Sequence, residues 1–163
     1  MRVRCLAWST AFAFAVGSAS GSANAADITY ERLLNPEPHN WLMNHKDFGS
    51  QRYSTLDEIT KGNVKNLKLK FAIAIGGTSG NEALEVTPLV EDGFMYIVDG
   101  WGAIYKIDVR SGTHARILWK TDPGIKRAAR LRGLAFWGPL AIGTTGKDGR
   151  VIAVDKESGK IMW

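Results

Sequence analysis

Cysteine is almost missing from this chain of 163 residues: Cys5 is the only one. It lies ahead of an apolar run in a segment that reads as removable. What remains can form no disulfide, no thiolate metal site and no covalently attached c-type haem within this segment. Histidine is scarce as well. His39, His45 and His114 lack metal-ligand spacing and are expected at the surface, so no metal-ligating residue is assigned. No Ser-His-Asp or Cys-His arrangement can be drawn, and no residue is assigned as catalytic. Gly76-Gly77-Thr78-Ser79-Gly80 lacks the Lys-Ser/Thr that a phosphate-cradling P-loop needs, and reads as a flexible loop.

A large charge of one sign is also lacking. The formal net charge is +5, and it falls to +3 when Arg2 and Arg4 are taken from the 21 lysines and arginines that face 16 acids. The basic cluster Lys126, Arg127, Arg130 and Arg132 is short and has little aromatic interleaving, which argues against a nucleic-acid partner. Its first three members read as a solvated connection. Nor is any apolar run long enough to span a bilayer. The run from Cys5 to Val16 follows Arg2 and Arg4 and precedes small residues and Ala23-Asn24-Ala25, the pattern of a secretory signal with its cleavage site. Residues 1–25 are therefore expected to be a signal peptide. The mature chain, 26–163, is expected to be periplasmic with no membrane span.

What is present is β-sheet signal with a period. Leu84 to Gly112, LEVTPLVEDGFMYIVDGWGAIYKIDVRSG, reads as an antiparallel meander of three short strands rich in Val, Ile, Tyr and Phe, with Asp92-Gly93 as a tight turn. Asp108, Ser111 and Gly112 return as Asp155, Ser158 and Gly159, a spacing of 47. Strands repeating at a period in the forties predict propeller blades, because helical repeats of that length would show a 3.6-residue period. The fold class is thus all-β, a β-propeller to which the chain supplies an N-terminal arm, one complete blade and most of a second. The arm, 27–44, carries a possible short helix at Tyr30 to Leu34. Asp57 to Leu67 is expected to turn Ile59, Val64 and Leu67 inward, and Leu69 to Ile75 alternates as a strand. The second unit starts at Arg132, turns at Lys147-Asp148-Gly149 and resumes as a strand from Arg150 to Val154. Trp119 and Trp163 close the units and are expected to pack between blades.

The repeat places an acid and a base at one position. Arg132 lies 47 residues after Glu85, and Glu85 sits in a strand among Leu84, Val86 and Val90, where an ionised carboxylate needs a partner. Either the two form a structural ion pair, or both face an axial cavity where Arg132 can fork onto a ligand carboxylate.

Four stretches, 49–73, 85–112, 132–138 (RGLAFWG) and 148–163, resemble the N-terminal portion of the quinoprotein alcohol dehydrogenases. The QRYS segment joined to E-x-x-PLV and RGLA-aromatic-W is the specific part. The resemblance implies an eight-bladed propeller that holds pyrroloquinoline quinone (PQQ) near its axis, with Glu85 and Arg132 as cofactor-binding residues. It also implies oxidation of a small-molecule alcohol, a Ca or lanthanide ion in the full-length family member, and a cytochrome c or other periplasmic electron acceptor. The catalytic aspartate, the metal ligands and most quinone contacts are implied for later blades, so the segment alone is expected to be inactive. One departure stands upstream of Arg132. Many members carry two adjacent cysteines there, joined as a disulfide over one face of the quinone, and Lys126 and Arg127 occupy those positions here. The competing class is a non-enzymatic propeller scaffold of the cell envelope, which shares the repeat but would not need Glu85 or Arg132.

Export makes the first test a direct one. N-terminal sequencing of the protein from its source cell should give Ala26 as the first residue, and an intact Met1 in the cytoplasm would refute the signal reading.

Overall fold

In the computed structural model, residues 27–76 and 84–163 are described. The expected signal peptide and most of the glycine loop lie outside the described residues. The first blade is a four-stranded antiparallel sheet in chain order: β2 (Leu89–Glu91), β3 (Phe94–Val98), β4 (Ile104–Asp108) and β5 (Arg116–Thr121). Asp92 and Gly93 join β2 to β3 with φ of 50° and 79°, the mirror-image turn that matches strand twist. The second blade has β7 (Ala135–Trp137), β8 (Leu140–Thr144) and β9 (Val151–Asp155). Residues 161–163 pair with β9: Ile161 bridges Val154, Met162 N–H donates to Ala153 O at 2.8 Å, and Trp163 O accepts from Ala153 N at 3.0 Å.

The three-strand meander expected over Leu84–Gly112 is corrected in one respect. β1 (Leu84–Thr87) does not join the blade but runs parallel to β6 (Leu131–Gly133). Pro88 separates β1 from β2; having no N–H, it interrupts the ladder and lets the strand change partners. The spacing of 47 holds at the start of this pairing and shifts by its end. Leu84 stands opposite Leu131, an offset of 47, but Thr87 stands opposite Gly133, an offset of 46, so a bulge absorbs one residue. Gly133 is required there: its φ is 148°, and a side chain would meet Thr87 O at 3.3 Å.

The main apolar cluster draws on both blades and the arm. Tyr96, Val98 and Ile104 of the first blade join Leu131, Leu134, Phe136, Ile152 and Val154, together with Ile28, Leu33 and Leu42 of the arm. Tyr96 meets Phe136 edge-to-face at 5.0 Å, a geometry that places ring edge against ring face. Trp119 seals the same junction. Its indole N–H donates to Lys156 O at 3.2 Å, and a Cβ on Gly159 would come within 2.6 Å of its ring, so the repeated turn glycine leaves room for the neighbouring blade's tryptophan. Trp119 thus packs between blades as expected, whereas Trp163 is exposed.

In the second blade Phe136, Ile152 and Val154 are buried, whereas Trp137 and Val151 are exposed. Successive strand residues point to opposite faces, and only one face meets the first blade. Two further expectations fail. No strand forms at 69–75: that stretch runs without a hydrogen-bonded partner among the described residues, although Ile73 and Ile75 rest on a smaller cluster of Ile97, Ala103, Tyr105 and Ile107. Ile59, Val64 and Leu67 are exposed, because a single 3₁₀ turn at Val64–Asn66 is all that forms there and it packs on neither sheet. Among the described residues no helix is long and apolar enough to cross a membrane.

The arm is held by charge. It contains α1 (Tyr30–Leu34), capped by the Thr29 hydroxyl, and touches both blades through backbone bridges from Ile28 to Gly138 and from Trp41 to Val90. Arg32 Nη1 donates to Glu91 Oε1 at 2.6 Å, and Lys156 Nζ donates to Glu91 Oε2 at 2.7 Å. Glu91 and Lys156 are only 1% and 2% exposed. Arm, first blade and second blade therefore meet on one buried carboxylate. Replacing Glu91 by Leu strands two cations and should cost about 3–5 kcal/mol in chemical denaturation, while adding Lys156→Met should recover part of that loss.

Glu37 extends the network. Burial alone would raise its carboxyl, but hydrogen bonds from Arg32 at 2.9 Å and Asn40 at 2.9 Å, with the charge of Arg32, lower it from 4.5 to about 2. A depressed folded-state value stabilises the fold above the unfolded value and loses that stability as pH falls through the folded one. The stability gap between the unaltered protein and Glu37→Gln should be constant from pH 7 to about 5, and should close as pH falls from 4.5 towards 2.

Candidate functional site

The parallel pairing of β1 with β6 sets the site's geometry. With Leu84 level with Leu131, the next residues, Glu85 and Arg132, come side by side on the same face of the two-stranded sheet. On the opposite face Val86 packs against both apolar clusters, and Leu131 is buried among the first. The apolar residues anchor the strands, and the polar pair is left facing outward.

Arg132 Nη1 pairs with Glu85 Oε2, and Arg130 Nε lies 3.9 Å from Glu85 Oε1. The ion pair that the sequence allowed is therefore formed. It is an open one: the Glu85 side chain is 33% exposed, against 72% for Arg130 and 74% for Arg132. An exposed pair of this kind contributes little to stability, on the order of 0–1 kcal/mol, and leaves most guanidinium N–H groups available to another acceptor.

Arg130 also joins this pair to a cleft. Trp101, Lys126, Arg127, Arg130 and Lys147 line a volume of about 660 Å³ beside β6. Lys126, Arg127 and Arg130 are exposed, as expected of a solvated connection, yet they line one wall. The wall is tied down on both sides. Ala129 N–H donates to Gly100 O at 2.7 Å, and Arg150 Nη2 donates to Pro123 O at 3.0 Å. The turn bearing Trp101 is fixed by Asp99, whose Oδ1 accepts from the N–H groups of Trp101 at 2.9 Å and Ala103 at 3.0 Å. Its Oδ2 accepts from the Tyr105 hydroxyl at 2.8 Å. Sequence reasoning missed Trp101 and Lys147. The available signal for Trp101 was a large aromatic in a glycine-flanked turn.

The remaining candidates are structural. Asp108 and Asp155 accept backbone N–H bonds from Arg110 and Ser158 in equivalent turns, and Asp148 holds Arg150 and Thr145. His39 and His114 are exposed as expected; His45 is half-buried, accepting from Arg52 at 2.8 Å. Among the described residues no group of three or more His, Cys, Asp or Glu could hold a metal ion.

Residues 41–163 match the family described as the β-propeller domain of PQQ-type glucose, ethanol and alcohol dehydrogenases. The chain belongs to this family. It is 35% identical over 146 residues to the dehydrogenase subunit of the quinone-type alcohol dehydrogenase of Gluconacetobacter polyoxogenes, covering 83% of this chain and 19% of that protein. It superposes on the quinohemoprotein alcohol dehydrogenase ADHIIG of Pseudomonas putida HK5 with a TM-score of 0.76 and 29% identity, over 86% of this chain and 21% of that one. On a europium-containing methanol dehydrogenase the TM-score is 0.67 at 29% identity, over 82% of this chain and 24% of the other. The chain thus spans about a fifth of the length of the relatives it matches. The propeller architecture expected from the repeat is that of these structures.

Proposed function

We propose that the chain forms the first part of an exported quinoprotein dehydrogenase that oxidises alcohols with PQQ, and that Glu85 and Arg132 bind the quinone. The observation that carries this reading is the open Glu85–Arg132 pair on the paired inner strands β1 and β6 of a family propeller. Its donor set fits the cofactor: guanidinium groups fork onto carboxylates, and a carboxylate such as Glu85 orients them. When bound, the quinone supplies the oxidant for a hydroxyl substrate. The chain's own part is to hold and orient it, with Arg132 donating hydrogen bonds and Glu85 keeping Arg132 aimed while its cost in solvation stays low.

The general base and the metal ligands are assigned to the propeller blades beyond this segment. The family likeness, which includes a europium-containing relative, supports a Ca or lanthanide ion there. The substrate is then a small-molecule alcohol, the electron acceptor a cytochrome c or another periplasmic carrier, and residues 26–163 alone are inactive. An envelope scaffold without cofactor is the second reading, and it is favoured only if the open pair proves dispensable for quinone binding.

Quinone titration of the full-length protein separates the two. Arg132→Ala and Glu85→Gln should each weaken PQQ binding, Arg132→Ala by about tenfold or more, since a charge-assisted hydrogen bond contributes about 1.5–3 kcal/mol. Unchanged affinity in both variants would leave the pair structural.

A further inference from the structure

The cationic wall beside Arg130 is more than the pair requires. Lys126, Arg127 and Lys147 make no side-chain hydrogen bond or ion pair among the described residues, and all three line the cleft together with Arg130, which lies 3.9 Å from Glu85. Asp148, which lines an adjoining hollow with Lys126, Arg127 and Lys147, is already engaged by Arg150 at 2.7 Å and by the Thr145 hydroxyl. Like charges gathered on a tethered loop repel one another, so a fold gains nothing from this arrangement unless an anion enters. At about 660 Å³ the cleft falls in the range of small-molecule sites, roughly 300–1,000 Å³. Trp101 gives it an aromatic wall, and the hydrogen bonds of Asp99 and Gly100 hold that wall and the basic loop together.

We propose that this cleft is a carboxylate-binding subsite in which Lys126, Arg127 and Lys147 hold the acidic edge of a planar aromatic polyanion. Resting on the function proposed above, that polyanion is the quinone cofactor itself. The consequence is distinctive: affinity depends on the ligand's carboxylates and falls with salt, as it does for exposed charge pairs screened within about 8–10 Å.

The experiment follows tryptophan fluorescence of the full-length protein on titration with PQQ and with its trimethyl ester, at low and at physiological salt. Three proteins are compared: the unaltered one, Lys126→Ser/Arg127→Ser, and a control, Lys65→Ser/Lys68→Ser, that removes two exposed cations elsewhere. Expected is a loss of about tenfold or more in PQQ affinity for the Lys126/Arg127 variant alone, a flattened salt dependence in that variant, and equal binding of the ester by all three. The unaltered protein should bind the ester more weakly than PQQ, a comparison that stands even if the variant fails to fold. Normal PQQ binding by the Lys126/Arg127 variant overturns the subsite and leaves the proposed function standing. An equal loss in the control also overturns it, as a general field effect. Absence of PQQ binding by the unaltered protein sinks both readings together.

Discussion

The described structure depends on one buried carboxylate. Glu91 ends the first strand of the first blade, and it is bonded at once by Arg32 from the arm and Lys156 from a turn of the second blade. Three segments far apart in sequence are thereby brought to one point. A buried ion pair of this sort is weak evidence of net stability, because desolvation offsets much of the attraction; its effect is to exclude other arrangements. Arm and blades could slide over the apolar cluster with little loss of contact, but not without leaving a charge unpaired. Tyr96, Phe136 and Trp119 supply area at this junction, and Glu91 supplies register.

The broken inner strands are the second constraint. In each unit the innermost strand changes partner midway: its first half, β1 or β6, pairs with the inner strand of the neighbouring unit, and its second half, β2 or β7, pairs within its own blade. Parallel pairing between equivalent segments makes a repeat in sequence into adjacency in space. That is why an acid and an arginine 47 residues apart touch, with no turn or helix to bring them together.

This adjacency was legible because it needs only the period. Strand runs, the Asp92-Gly93 turn and the packing of Trp119 were legible for similar local reasons: β-branched and aromatic runs, an Asp-Gly pair and a tryptophan at the close of a repeat unit. The failures share a different cause. Leu69 to Ile75 has strand composition, but a strand exists only where another edge accepts its hydrogen bonds, and that edge is not encoded in the stretch itself. Ile59, Val64 and Leu67 were placed inward on hydrophobicity alone, with no period to say against what. The buried Glu91 network escaped notice because each member is an ordinary charged residue in sequence, and only the fold brings Arg32 and Lys156 to it. Trp101 and Lys147 escaped for the same reason.

Two glutamates six residues apart on that broken strand show how burial divides structure from function. Glu91 is 1% exposed, with both oxygens bonded; exchanging its partners would require moving an unpaired charge through the core, at a cost of several kcal/mol. It is committed to the fold. Glu85 is 33% exposed, and its arginines more than twice that, so water can take either partner's place at a cost on the order of 1 kcal/mol. A pair that breaks so cheaply adds little to the fold, and it leaves Arg132 oriented yet exchangeable, as the proposed ligand role requires. An incoming carboxylate that excludes water strengthens its contact with Arg132, since the same charges attract more strongly as the local dielectric falls. A position just outside the core, close enough to be oriented and open enough to be exchanged, suits Glu85 and Arg132 to the ligand role proposed for them, which the buried Glu91 and Lys156 could not fill.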